Sequence, residues 1–119
     1  MKTEKSSTYD VTLEENLKKA LTELLILHLL SMREYFIGEL TEVLKEQSGG
    51  VLKLAFPYSA VYRLQRERYI LGSEKRIASD GRRRQYYCIT QQGREYYRQL
   101  LDSYYHFIGG VNTLLNPQE

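Results

Sequence analysis

The stretch from Pro57 to Thr90 constrains the fold of this chain more than any other. It opens PYSAVYRLQRERYI, with proline where a first helical turn needs no N–H donor. Val61, Leu64 and Arg68 recur on one side with Ala60 beside them, and Ser59, Tyr62, Arg63 and Arg66 fall on the other. That spacing predicts a short helix over Pro57 to about Tyr69 with an apolar face and a basic, hydroxyl-bearing face. The second half reads as a hairpin. Ile70–Ile77 form one strand, with Gly72 as a bulge or a point of close approach. Ser79, Asp80 and Gly81 supply turn chemistry, and Arg84–Ile89 return as the second strand. Arg82, Arg83 and Arg84 crowd the tip, where adjacent like charges repel unless a polyanion relieves them.

Charge along the chain points the same way. Residues 1–52 carry 6 basic and 9 acidic side chains, residues 53–98 carry 11 and 4, and residues 99–119 carry none and 2. A net charge of only +2 therefore hides a strongly basic middle segment, the footprint of a phosphate-backbone partner. Lys53, Lys75 and Arg76 extend that footprint. Helix residues Tyr58, Ser59, Tyr62, Arg63 and Arg66 are the candidates for the major groove, and Lys53, Arg82, Arg83 and Arg84 for the flanking backbone. Arg63 suits bidentate bonding to guanine and equally suits a phosphate.

The rest of the chain supplies a scaffold and a seam. Residues 1–11 are polar and aperiodic, a flexible tail. Thr12 stands three residues before Glu15, a capping-box spacing that predicts a first helix over Leu13–Ser31. From Leu24 onward this helix is apolar nearly all round, so it should be buried on several sides. His28 sits in that run, either as a buried neutral histidine bonded to a neighbour or as the lining of an effector pocket or dimer seam. A second helix follows over Phe36–Gln47, buried through Ile37, Leu40 and Leu44 and ended by Ser48-Gly49-Gly50. A short strand is expected near Leu52. Three helices and a hairpin make a winged helix-turn-helix over residues 12–90, a mainly α fold with one small hairpin.

Thr90 caps a long last helix over residues 91–116. Tyr97, Leu101, Tyr104, Ile108, Val111 and Leu115 recur at alternating gaps of 4 and 3, a heptad-type seam. A core already closed by three helices has little internal use for this face, so a second copy of the chain is the economical partner. Gly109 and Gly110 weaken the helix and are places for it to bend or end. Aromatic residues on the seam are packing, or they wall a flat apolar pocket. Its candidate lining is His28, Tyr97, Tyr104 and Phe107.

Other classes find no support. No run of 18 apolar residues exists and no apolar leader precedes the first helix, so a cytoplasmic setting without a membrane span is expected. One cysteine and two histidines argue against a metal site and a disulfide. No nucleophile elbow or phosphate-cradling Gly-rich loop appears, so neither an enzyme nor a cofactor is expected. The alternative to a DNA-binding regulator is a winged helix used only for protein contacts.

The chain resembles the PadR-like transcriptional regulators, in the small subgroup with a single C-terminal helix. The resemblance rests on LTELLILHLLS (21–31), LKL before the third helix, Tyr58 with Leu64-Gln65-Arg66-Glu67 and Ile70, GRRRQYYCIT (81–90), and Gly93. It spans roughly residues 17–115. It implies a homodimeric winged helix-turn-helix repressor on a two-fold symmetric operator in double-stranded DNA. The third helix would enter the major groove and the wing would touch the backbone. It also implies release by phenolic or other aromatic compounds. Tyr58 matches the tyrosine usual near the start of the reading helix. Tyr104 matches a position where some relatives stack an aromatic on ligand. Ala55-Phe56-Pro57-Tyr58 replaces the usual Gly-Thr-Leu-Tyr, and Arg68-Tyr69-Ile70 replaces Gly-Leu-Ile.

Overall fold

Residues 24–30 decide where every other element goes. Leu24, Ile26, Leu27, Leu29 and Leu30 are all buried, too many for one stripe of a helix, so partners must cover several sides. The computed structural model describes residues 2–116, with side chains from Thr12 onward. The order is α1 (Lys2–Met32), α2 (Ile37–Gln47), α3 (Pro57–Arg66), β1 (Ile70–Ile77), β2 (Arg83–Ile89) and α4 (Gln91–Leu115). Helices α2, α3 and α4 and strand β2 all pack on α1. The architecture is the expected winged helix-turn-helix with a long C-terminal helix.

Helix α1 does not begin at Leu13. It runs from Lys2, so Thr12 and Glu15 lie within it and the expected tail has helical backbone from residue 2. The side chains of that tail, and Met1 entirely, lie outside the described residues. His28 is exposed rather than buried. Its Nδ1 is hydrogen bonded to the Tyr97 hydroxyl of α4 at 2.7 Å.

Helix α2 buries Ile37, Leu40 and Leu44, as its spacing predicts. No strand forms at Leu52. The third strand-like contact comes from the α1–α2 connection, where the Tyr87 N–H donates to the Tyr35 carbonyl at 3.0 Å. Helix α3 stops at Arg66 and not at Tyr69. The Arg68 N–H bonds the Gln65 carbonyl and the Tyr69 N–H bonds the Leu64 carbonyl, which satisfies the last turn in a Schellman arrangement. This puts Arg68 in the left-handed region with φ 67°, where glycine is the usual occupant.

Strands β1 and β2 pair antiparallel from Ile70↔Ile89 to Ile77↔Arg83, and the register shifts between Gly72 and Lys75. The bulge expected at Gly72 is therefore present. The hairpin closes with the Gly81 N–H on the Ala78 carbonyl at 2.9 Å and Gly81 at φ 81°.

Helix α4 starts at a crowded joint. The Thr90 hydroxyl accepts from the Gly93 N–H at 2.9 Å and donates to the Arg68 carbonyl at 2.8 Å. A Cβ at Gly93 would stand 2.0 Å from the Tyr69 carbonyl oxygen, so only glycine fits. Tyr96, Tyr97 and Leu100 pack against the same core as α1–α3. Gly109 and Gly110 do not end the helix, which continues to Leu115.

Two substitutions test this joint in opposite directions. Gly93→Ala should lose about 3 kcal/mol in urea unfolding, because backbone collides with backbone. Arg68→Gly should gain about 0.5 kcal/mol, because glycine relieves the left-handed strain while adding some unfolded-state entropy.

Candidate nucleic-acid interface

Helix α3 buries Val61 and Leu64, which fixes its rotation on the core. Tyr58, Ser59, Tyr62 and Arg66 are thereby exposed. Arg63, expected with them, is placed elsewhere. It lies on the flank that faces α1, where its Nε and Nη2 donate to both carboxylate oxygens of Glu23. Nη2 also reaches the Tyr96 hydroxyl of α4 at 3.4 Å. Glu23 pushes the guanidinium still further above its ordinary range through that hydrogen bond. Burial pushes the pKa of the Tyr87 hydroxyl of β2 upward, with smaller contributions from Tyr62 and Tyr58 of α3.

The three wing arginines divide. Arg84 is held: its Nη2 donates to Asp80 at 2.6 Å and its guanidinium sits 5.0 Å from the centre of the Phe36 ring. That contact, with the Arg82 N–H, keeps the Asp80 carboxyl below its usual range. Arg82 and Arg83 have exposed side chains with no ion pair or hydrogen bond among the described residues. The same holds for Arg66, Lys53 and Lys75. Arg76, by contrast, lies over the Tyr86 ring at 3.8 Å and is ion-paired with Glu34 and Glu74. Glu34 also accepts from the Ser73 hydroxyl at 3.0 Å, so one carboxylate in the α1–α2 connection fastens the bulged part of the wing.

A groove of about 620 Å³ opens between α1, α3 and α4. Leu17, Leu21, Leu24 and Leu100 give it apolar walls, and Tyr104 and Phe107 line it as well. Its polar end is Glu23, Arg63 and Tyr96. His28 and Tyr97, expected beside Tyr104 and Phe107, are bonded to each other and do not line this groove. Along α4, Tyr97, Leu101, Tyr104, Ile108 and Val111 are partly exposed, and Leu115 is exposed.

Glu23, Tyr96 and Thr22 carry structure that the sequence reading did not single out. Glu23 is the one carboxylate within the apolar LTELLILHLL run, and that misplaced charge was the available signal. Thr22 is buried, and its hydroxyl accepts the Ala55 N–H at 3.0 Å just before α3 begins. No group of three or more histidine, cysteine or acidic side chains gathers among the described residues in a way that could hold a metal. Among them, no helix is long and apolar enough to cross a membrane.

The family model of the PadR-like transcriptional regulators matches residues 26–99. The chain belongs to that family. A PadR-like transcriptional regulator from Bacillus cereus aligns at 29% identity with a TM-score of 0.68, over 82% of this chain and 93% of its own. A transcriptional regulator from Clostridium thermocellum aligns at 24% identity with a TM-score of 0.67, over 79% and 89% of the two chains. A PadR family transcription regulator from Clostridium difficile shares the fold at 20% identity and a TM-score of 0.61, over 80% and 97%. No curated protein matches the chain. As a PadR-like protein it is a DNA-binding regulator of transcription.

The divided wing makes a measurable difference. Arg82→Ala and Arg83→Ala should each lower the slope of log affinity against log salt by about one on duplex DNA. Arg84→Ala should leave that slope nearly unchanged and instead weaken the hairpin, seen as faster amide exchange at residues 78–84.

Proposed function

We propose that the chain is a cytoplasmic homodimeric repressor that reads a two-fold symmetric operator and is released by a small aromatic or phenolic effector. The observation that carries the DNA-binding part is the set of unpaired cations. The side chains of Lys53, Arg66, Arg82 and Arg83 carry no ion pair or hydrogen bond among the described residues, and they lie on α3, at the wing tip and in the segment leading into α3. Unneutralised charge concentrated around an open helix face suits a phosphate backbone on either side of a groove. Residues 12–90 would form the DNA-binding unit and 91–116 the dimerisation helix. Tyr58, Ser59, Tyr62 and Arg66 would approach base edges, and Lys53, Arg82 and Arg83 the backbone.

The dimer reading is supported by apolar side chains left uncovered in one chain. Leu13 and Leu17 on α1 are 60% and 47% exposed, and Phe107 and Leu114 on α4 are 71% and 77% exposed. Contiguous apolar surface of this kind marks an interface. The seam would run along Tyr97, Leu101, Tyr104, Ile108, Val111 and Leu115. The effector reading is supported by the groove, whose lining includes Tyr104 and Phe107 and whose polar members include Arg63 of α3. A ligand there would favour one spacing of the two reading helices over another. The bound dimer would repress by occupying its promoter.

Selection from a random duplex pool should return a two-fold symmetric sequence with half-sites about 34 Å apart. Failure to enrich any sequence would contradict the operator reading and favour a protein-contact module. Sedimentation at micromolar concentration should give twice the mass of one chain, and Leu114→Asp with Phe107→Asp should halve it.

A further inference from the structure

The polar contacts of Arg63 are unlike those of any other cation on α3. Its guanidinium is gripped from two directions: by the Glu23 carboxylate of α1 in bidentate fashion, and by the Tyr96 hydroxyl of α4 at 3.4 Å. The Tyr96 hydroxyl in turn donates to Glu23 Oε1 at 3.4 Å, and its ring stacks on Tyr69 at 4.2 Å and 11°. Three helices therefore converge on one side chain. The Arg63 and Glu23 side chains are only 38% and 24% exposed, so separating them would strand a half-desolvated carboxylate.

Helix α3 has few other polar anchors. It is ten residues long, and its N-cap residue Phe56 makes no side-chain cap hydrogen bond. Its other polar tie to α1 is the Ala55 N–H on the Thr22 hydroxyl, at 3.0 Å. Thr22 and Glu23 are neighbours in sequence, so one turn of α1 holds both the entry to α3 and its middle. The burial of Val61 and Leu64 resists lifting of α3 off the core, but apolar contact is non-directional and resists sliding and rotation poorly. A bidentate ion pair has fixed geometry and supplies that missing restraint.

We propose that Arg63 is a positioning residue, clamped by Glu23 and Tyr96, that sets the pose of the reading helix and contacts neither base nor phosphate. The proposal rests on the operator-binding reading. It reverses the role that the helical wheel of α3 suggests for this arginine.

The test uses the full chain and the duplex recovered by selection, with affinity measured across a salt series and thermal midpoints recorded in parallel. Glu23→Gln is the decisive variant. A clamp predicts that it weakens operator binding by roughly tenfold, with the salt slope unchanged. Arg63→Met should do the same, and the double variant should lose no more than the worse single one. Arg63→Lys keeps the charge and guards against misfolding. It should also weaken binding, because an ammonium cannot make the bidentate pair.

Three results would overturn the clamp. The first is tighter binding by Glu23→Gln together with a salt slope lowered by about one in Arg63→Met, which would make Arg63 a DNA contact released by losing its partner. The second is a lowered midpoint with unchanged operator affinity in all variants, which would make the pair structural only. The third is a wild-type chain that enriches no duplex, which removes the operator reading and the clamp together. The first two leave the operator reading intact and remove the clamp alone.

Discussion

The fold depends on burying one half of one helix. Residues 24–30 of α1 are covered by α2, α3, α4 and β2, so the reading helix and the wing strand take their positions from a single rod. Apolar burial supplies most of the cohesion, and close packing of fully buried Ile26, Leu27, Leu29, Leu40 and Leu64 makes that rod unforgiving of volume changes. What burial does not supply is angular registration. Polar groups on that rod and just beyond its end do that: Thr22 and Glu23 of α1 toward α3, and Glu34 with Tyr35 of the α1–α2 connection toward the wing.

A second joint lies between α3, β1 and α4. The carbonyls of Arg68 and Tyr69 accept the Thr90 hydroxyl, and Gly93 lets the first turn of α4 press against Tyr69. The left-handed residue at the end of α3 turns the chain directly into β1, within three residues. The reading helix, the wing and the long helix therefore meet at one backbone knot. One turn beyond that knot α4 touches α3 again, where the Tyr96 hydroxyl accepts from Arg63.

Much of this was legible in the residues. The apolar run of α1, the stripe of α2, the two strands and their bulge, and the Thr90 cap all follow local periodicity or turn chemistry that acts within a few positions. The start of α1 was misread, because Thr12 and Glu15 have capping-box spacing inside a helix that had already begun. The end of α3 was misread because an arginine stands where left-handed geometry usually recruits glycine. Arg63 shows the deeper reason. A helical wheel places it opposite Val61, but which flank of α3 meets α1 is decided by packing between residues 40 positions apart. Arg84 is similar, since only the turn geometry reveals that Asp80 neutralises it.

The cations of the candidate site divide into paired and unpaired side chains. Arg63, Arg76 and Arg84 serve the fold, while Lys53, Arg66, Arg82 and Arg83 face outward without ion pairs among the described residues. Backbone NMR of the labelled full chain, titrated with its selected duplex, tests this division most directly. The account predicts that resonances of Ser59, Tyr62, Arg66, Gly81, Arg82 and Arg83 shift first and furthest, while Gly49 and Gly50 beyond α2 stay in place. Shifts centred on α2, with the α3 face and the wing tip unmoved, would contradict it.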